Sequence, residues 1–134
     1  MIVDSSALVA IALQEPGYER IEAALAGAHT TGIGAPTLVE TTIVLSARLR
    51  RDARGLASRL LRAGSIDVIP FTDPHYDVAV SAWLRFGKGR HAADLNFGDC
   101  LSYATALVAG RPLLCVGDAF PKTDLPLALP PIGE

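Results

Sequence analysis

At 134 residues the chain is the size of one domain, expected over 1–134. Half of it is hydrophobic, which excludes a disordered chain and supports a sizeable core. The formal net charge of −2 is near neutral and hides a basic stretch, because Arg48, Arg50, Arg51, Arg54, Arg59 and Arg62 make up half of the 12 basic residues. Such a stretch is either a solvated helical face or a surface for phosphate groups. No apolar run reaches the roughly 18 residues needed to span a bilayer. The N-terminus has no basic segment ahead of its first apolar run, so no secretory signal is expected. Cys100 and Cys115 match no metal or redox spacing and read as buried thiols. A reduced, cytoplasmic protein is expected.

In chain order, Ile2-Val3 reads as a strand and Ser6 to Glu15 as a helix stopped by Pro16-Gly17. A second helical stretch runs from Tyr18 to Ala26. Thr30 to Ile33 is strand-like, and Pro36 opens a helix to about Arg50. Asp52 to Ala63 is another helix, closed by Gly64. Ile66 to Phe71 is a strand, and Asp73 to Phe86 a helix with Trp83 on its core side. Gly87 to Phe97 is a polar loop. Gly98 to Ala109 is a helix apolar nearly all round, hence buried, and Leu113 to Val116 is a core strand. The Pro-rich tail has room for a short edge strand near Leu127 to Leu129. Strands alternating with helices give the α/β class: a three-layer α/β/α sandwich around a mostly parallel sheet.

Four acids stand where a plain surface charge is not the obvious reading. Asp4 follows the first strand and Asp118 the last, after Gly117. Glu40 shares a helical stripe with Ile43, Val44 and Ala47, and Asp99 starts the most apolar helix. Each has a local explanation. Asp4 and Asp99 suit helix starts, Thr37 to Glu40 fits a capping box, and Asp118 suits a Gly-Asp turn. Together they fall on the rim where ligands sit in open α/β sheets. Two carboxylates about 4 Å apart repel by about 4 kcal/mol at an effective dielectric of 20. Such a group either takes up protons or binds a hard divalent cation such as Mg²⁺. One or two such ions can drive phosphodiester hydrolysis. His29, His75 and His91 show no ligand spacing, and no nucleophile-elbow, P-loop or dinucleotide motif is present.

The start Ile2-Val3-Asp4-Ser5-Ser6-Ala7-Leu8, the acid in Leu38-Val39-Glu40-Thr41, and the run Leu95-Asn96-Phe97-Gly98-Asp99-Cys100-Leu101-Ser102-Tyr103-Ala104 resemble the PIN-domain family. Within it they are similar to the VapC-type ribonuclease toxins of type II toxin–antitoxin systems. The tail Pro112-Leu113-Leu114, Gly117-Asp118-Ala119-Phe120 and Thr123-Asp124 also fits. The resemblance implies a Mg²⁺- or Mn²⁺-dependent endoribonuclease acting on RNA, a homodimer, and a cognate VapB-type antitoxin. It implies Asp4 and Asp99 as metal ligands, Glu40 as the third acid and Ser6 as the support of Asp4. Many relatives carry a fourth acid just before the tail phenylalanine. Here that position is Ala119, which leaves Asp118 as the substitute and Asp124 as a weaker one. Asp94 reads as a loop or cap residue. Arginines of the 48–62 stretch, or Arg85, Lys88 and Arg90, are candidates to guide the RNA backbone.

Two other readings remain open at this level. A PIN-like module could hold RNA or protein without cutting. A phosphotransfer domain could use Asp4 as phosphoryl acceptor, but Ser6 stands where a dehalogenase-like phosphatase needs an acid, and the late Lys122 follows Pro121 in an irregular tail.

Overall fold

Two-residue strands suffice at the centre of this molecule because their side chains are buried on both faces. The computed structural model describes residues 1–130, so the expected domain runs past the described residues at 131–134. Strand β1 (Ile2–Val3) sends Ile2 to one face and Val3 to the other, both at 0% exposure. It pairs in parallel with β2 (Thr31–Gly34) on one side and β4 (Leu113–Leu114) on the other, Ile2 opposite Leu113 and Val3 opposite Leu114. Strand β3 (Ile66–Ile69) joins β2, giving the order β3-β2-β1-β4, all parallel.

Helices cover both faces. Val3, Ile33 and Leu114 pack with residues of α1 (Ser5–Ala12) and α2 (Tyr18–Gly27). Ile2 and Leu113 pack with α5 (Asp73–Phe86) and α6 (Phe97–Ala109). Helix α3 (Ala35–Leu49) touches both α1 and α6, and α4 (Arg54–Ala63) returns the chain to β3. This is the expected α/β/α sandwich.

Several boundaries differ from the sequence expectation. Helix α1 ends at Ala12 because Gln14 turns left-handed, φ 50°, ahead of the Pro16-Gly17 stop. Strand β4 stops at Leu114, since the Val116 amide is taken by the Ser6 hydroxyl. The tail strand shrinks to one bridge, Leu127 to Leu113. The side of α3 facing the core is Thr37, Thr41 and Leu45, whereas Ile43 is 62% exposed. No helix among the described residues is long and apolar enough to cross a membrane.

The chain runs outward from β1 through β2 to β3, then crosses back to lay β4 on the other side of β1. The direction of winding therefore reverses between β1 and β4, which is where an open parallel sheet leaves a crevice beyond its carboxyl ends. Asp4 is the residue that follows β1 there, its amide bonded to the Leu114 carbonyl at 2.9 Å.

Candidate active site

Asp4 is both a helix cap and a buried acid. Its extended backbone (φ −84°, ψ 157°) opens α1, and its Oδ2 accepts from the Ser6 amide at 3.1 Å and the Ser6 hydroxyl at 2.6 Å. Its Oδ1 accepts from the Ser102 hydroxyl of α6 at 2.5 Å. Only 3% of the residue is exposed. A carboxylate removed from water in this way needs such donors.

The run Asn96-Phe97-Gly98-Asp99 has a separate reason for each polar or small residue. Asn96 caps α6, accepting from the Asp99 amide at 2.8 Å, while Asp99 Oδ2 accepts from the Asn96 amide at 3.0 Å. Gly98 leaves room for Glu40, because a Cβ at that position would overlap the Glu40 carboxylate. Glu40 therefore arrives from α3 against the first turn of α6, beside Asp99. It completes no capping box, since the cap of α3 is Gly34, three residues before Thr37, and the Thr37 hydroxyl faces Ser102 instead.

The three acids act on one another. Burial, then the charge on Asp4, hold Glu40 above the usual carboxylate range. Hydrogen bonding with Ser5 opposes this, and the charge on Asp99 adds to it. Burial raises Asp99 first, the Asn96 amide opposes it, and the charge on Asp4 raises it further. The field reaches both thiols. Cys115 is pushed up to about 12 by burial and then by Asp4 and Asp99, and Cys100 to about 11 by burial and then Asp99. Neither thiol is a nucleophile at neutral pH. Among the described residues none of the three acids takes part in a salt bridge.

The structure places the four expected acids differently. Asp4, Glu40 and Asp99 come within reach of one another's charge. Asp118 does not join them: its side chain is 93% exposed and stands 3.9 Å from Lys122, past the left-handed turn at Gly117 (φ 106°). Among the described residues no three His, Cys, Asp or Glu side chains stand close enough together to hold a metal ion as they are placed. Asp99 Oδ2 accepts from its own cap amide, that of Asn96. Asp124 accepts from the Tyr103 hydroxyl at 2.6 Å and faces Arg85, which ties down the tail. Asp94 is a loop residue with φ 55°, accepting from the Gly89 amide. His75 is buried in the cap of α5 with Thr72, and His29 and His91 are exposed.

The sequence reading missed Ser102 and Thr37, both buried and joined at 3.3 Å. A serine in an apolar helix carries no signal of its partner 98 residues away.

An apolar groove of about 770 Å³ starts at Glu40 and runs between α3, α5 and the first turn of α6, lined by Val39, Ile43, Tyr76, Val80, Phe97 and others. Phe97 is 79% exposed at its edge. Trp83 is not a core residue: it is 42% exposed, with the Arg90 guanidinium 4.8 Å from its ring. All six arginines of the 48–62 stretch are exposed, and Arg54 is engaged by Asp52 at 2.7 Å.

The donor set fits a hard divalent cation. All three groups offer carboxylate oxygen, burial and the charge on Asp4 raise two of them above the usual carboxylate range, and among the described residues no Lys or Arg forms an ion pair with any of them.

The PIN domain family model matches residues 1–125. Ribonuclease VapC36 of Mycobacterium tuberculosis is 50% identical over 126 residues, covering 93% of this chain and 91% of that protein. Ribonuclease VapC of Mycolicibacterium smegmatis is 40% identical over 125 residues, covering 93% and 97%. Among solved structures, Mycobacterium tuberculosis VapC20, a sarcin-ricin loop cleaving toxin, superposes with a TM-score of 0.75 at 17% identity, covering 92% and 95%. VapBC2 from Rickettsia felis, bound to a DNA fragment from its promoter, gives 0.67 at 14% identity, covering 94% and 95%.

Proposed function

The chain belongs to the PIN-domain family, and from that premise we propose that it is a Mg²⁺- or Mn²⁺-dependent endoribonuclease, the toxin of a VapBC-type toxin–antitoxin module. The observation that carries this reading is the trio Asp4, Glu40 and Asp99 at the carboxyl rim, two of them raised in part by the charge of their neighbours. One PIN-like domain over 1–134, acting in the cytoplasm, would suffice.

Asp4, Glu40 and Asp99 would hold the cation, Asp99 after its carboxylate leaves the Asn96 amide. When bound, the cation supplies an activated water and charge stabilisation for phosphodiester hydrolysis. Asp4 is the fixed member, held by three donors. Glu40, raised above the usual range, suits accepting a proton from the attacking water. The water oxygen would bond to phosphorus as the bond to the 3′ oxygen breaks, the water's proton going to Glu40 and the 3′ oxygen leaving as a hydroxyl protonated from solvent. The exposed arginines of α4 and its approach, with Lys88 and Arg90 of the loop before α6, offer charge for the RNA backbone.

The apolar groove and the exposed side chains around it form a contiguous unpartnered face, larger in reach than scattered surface residues. This supports a homodimer, with a VapB-type antitoxin segment closing the groove next to Glu40. A solved structure of the same fold, a toxin–antitoxin complex from Klebsiella pneumoniae, supports the same partner.

Sequencing of RNA ends after controlled induction, beside an Asp99→Asn control, tests the reading. New ends that need Asp99 and disappear with metal chelation are expected. Equal ends in both strains, or metal-independent binding of RNA with no cleavage, would instead leave a PIN-like binding module.

A further inference from the structure

Buried hydroxyls normally satisfy themselves close to home. The Thr41 hydroxyl donates to the Thr37 carbonyl at 2.8 Å and the Thr105 hydroxyl to the Leu101 carbonyl at 2.9 Å, each one turn back on its own helix. Ser102 departs from that habit. It is 1% exposed on the same apolar helix as Thr105, yet its proton crosses to Asp4 Oδ1. A hydroxyl has one proton to give. With that proton committed to Asp4, the contact at 3.3 Å between Ser102 and Thr37, itself 1% exposed, must run from the Thr37 hydroxyl to the Ser102 oxygen.

The positions of these two residues give the relay its meaning. Thr37 lies one helical turn before Glu40 on α3, and Ser102 one turn after Asp99 on α6. The chain Thr37 to Ser102 to Asp4 thus ties together the three segments that carry the three acids. A second relay meets it from the other side. The Val116 amide donates to the Ser6 oxygen at 2.9 Å, and the Ser6 hydroxyl donates to Asp4 Oδ2. An ionised carboxylate has about four acceptor positions. The Ser6 amide and hydroxyl fill both on Oδ2 and Ser102 fills one on Oδ1, which among the described residues leaves one free, on Oδ1.

We propose that Ser102 and Thr37 are positioning residues that register α3 and α6 on Asp4 and leave it a single oxygen, Oδ1, to offer a divalent cation. The proposal rests on the reading of Asp4 as a metal ligand. Replacing Asp4's remote partners should therefore loosen cation binding without touching the RNA-binding surface.

The test compares wild type with Ser102→Ala, Thr37→Val and Ser102→Thr. Three quantities are measured: the Mn²⁺ dissociation constant by calorimetry without RNA, kcat and KM on an RNA oligonucleotide, and the thermal midpoint in chelator. Ser102→Ala is expected to weaken Mn²⁺ binding about ten- to a hundredfold and to lower kcat with KM unchanged. Thr37→Val, which keeps the shape, should shift both in the same direction by less, and Ser102→Thr, which keeps the hydroxyl, should restore them. A purely structural hydroxyl would lower the midpoint in chelator and leave the Mn²⁺ constant of the folded protein unchanged. That result in Ser102→Ala, or in Thr37→Val if the first variant does not fold, overturns the proposal while wild-type cleavage stands. Wild type that neither binds Mn²⁺ nor cuts RNA overturns this proposal and the proposed function together.

Discussion

Asp4→Asn and Asp99→Asn should both abolish cleavage, yet only Asp4→Asn should lower the stability of the metal-free protein. Asp4 accepts three hydrogen bonds as a buried carboxylate. Bonds to a charged group contribute about 1.5–3 kcal/mol each and neutral ones about 0.5–1.5, so an amide gives up about 1 kcal/mol per bond. The amide nitrogen must also face a donor, which forces one hydroxyl to reverse. Relief of repulsion from Glu40 and Asp99 offsets part of this, leaving a net loss of about 2 kcal/mol. With an unfolding entropy of about 2.1 cal/mol/K per residue over 134 residues, the midpoint falls by about 7 °C. Asp99→Asn differs because an amide oxygen can still accept from the Asn96 amide. It forgoes about 0.3–1 kcal/mol of helix-dipole interaction. The upward shift of Asp99 shows that its charge is unfavourable on balance, so neutralising it should leave the midpoint unchanged or slightly higher. Calorimetry in chelator at pH 7 reads both. A fall in Asp99→Asn as large as in Asp4→Asn would refute the electrostatic account of the cluster.

Glu40 and Asp99 are both raised in the folded state, so the native protein binds more protons than the unfolded chain above the ordinary values of 4.5 and 3.8. Stability in chelator should therefore decline as pH rises through that region and the raised values beyond it, and Glu40→Gln should flatten the decline; an unchanged slope would contradict the coupling. Gly98→Ala should fold with a similar midpoint, since alanine favours a helix by about 1 kcal/mol, while displacing Glu40 and lowering kcat about a hundredfold. Full activity in that variant would remove Glu40 from the chemistry. Ile43→Glu places a charge on the exposed face of α3 and should convert a dimer to a monomer by light scattering; a dimer that persists would put the interface elsewhere.

Much of this fold follows from local pattern. Ile2-Val3 and Leu113-Leu114 are apolar pairs bounded by breakers, and a parallel sheet buries both faces, so no alternation is needed to read them. Asp4 was legible because it ends a buried strand at the rim where ligands sit in open α/β sheets, although capping α1 alone would also account for an acid there. Glu40 was found from the apolar stripe it shares on α3. Ile43 and Val44 of that stripe line the groove and Ala47 is exposed, while the core side of α3 is Thr37, Thr41 and Leu45. Two threonines disguise that side, since their hydroxyls are satisfied within the helix or by Ser102. Trp83 misled for the opposite reason: an aromatic at helical spacing reads as core, and only tertiary packing leaves it half open under Arg90. Asp118 follows a strand as Asp4 does, but the left-handed Gly117 carries it out to Lys122, a change of direction that depends on one dihedral. Ser102 lay beyond reach altogether, because its meaning is a hydrogen bond to the far end of the chain.

The most direct measurement is anomalous diffraction from crystals soaked in Mn²⁺. A single peak is expected between residues 4, 40 and 99, bonded to Asp4 through Oδ1, with the Asp99 carboxylate turned away from the Asn96 amide. No peak among those three side chains at millimolar Mn²⁺, or a peak held by other residues, would contradict the assignment.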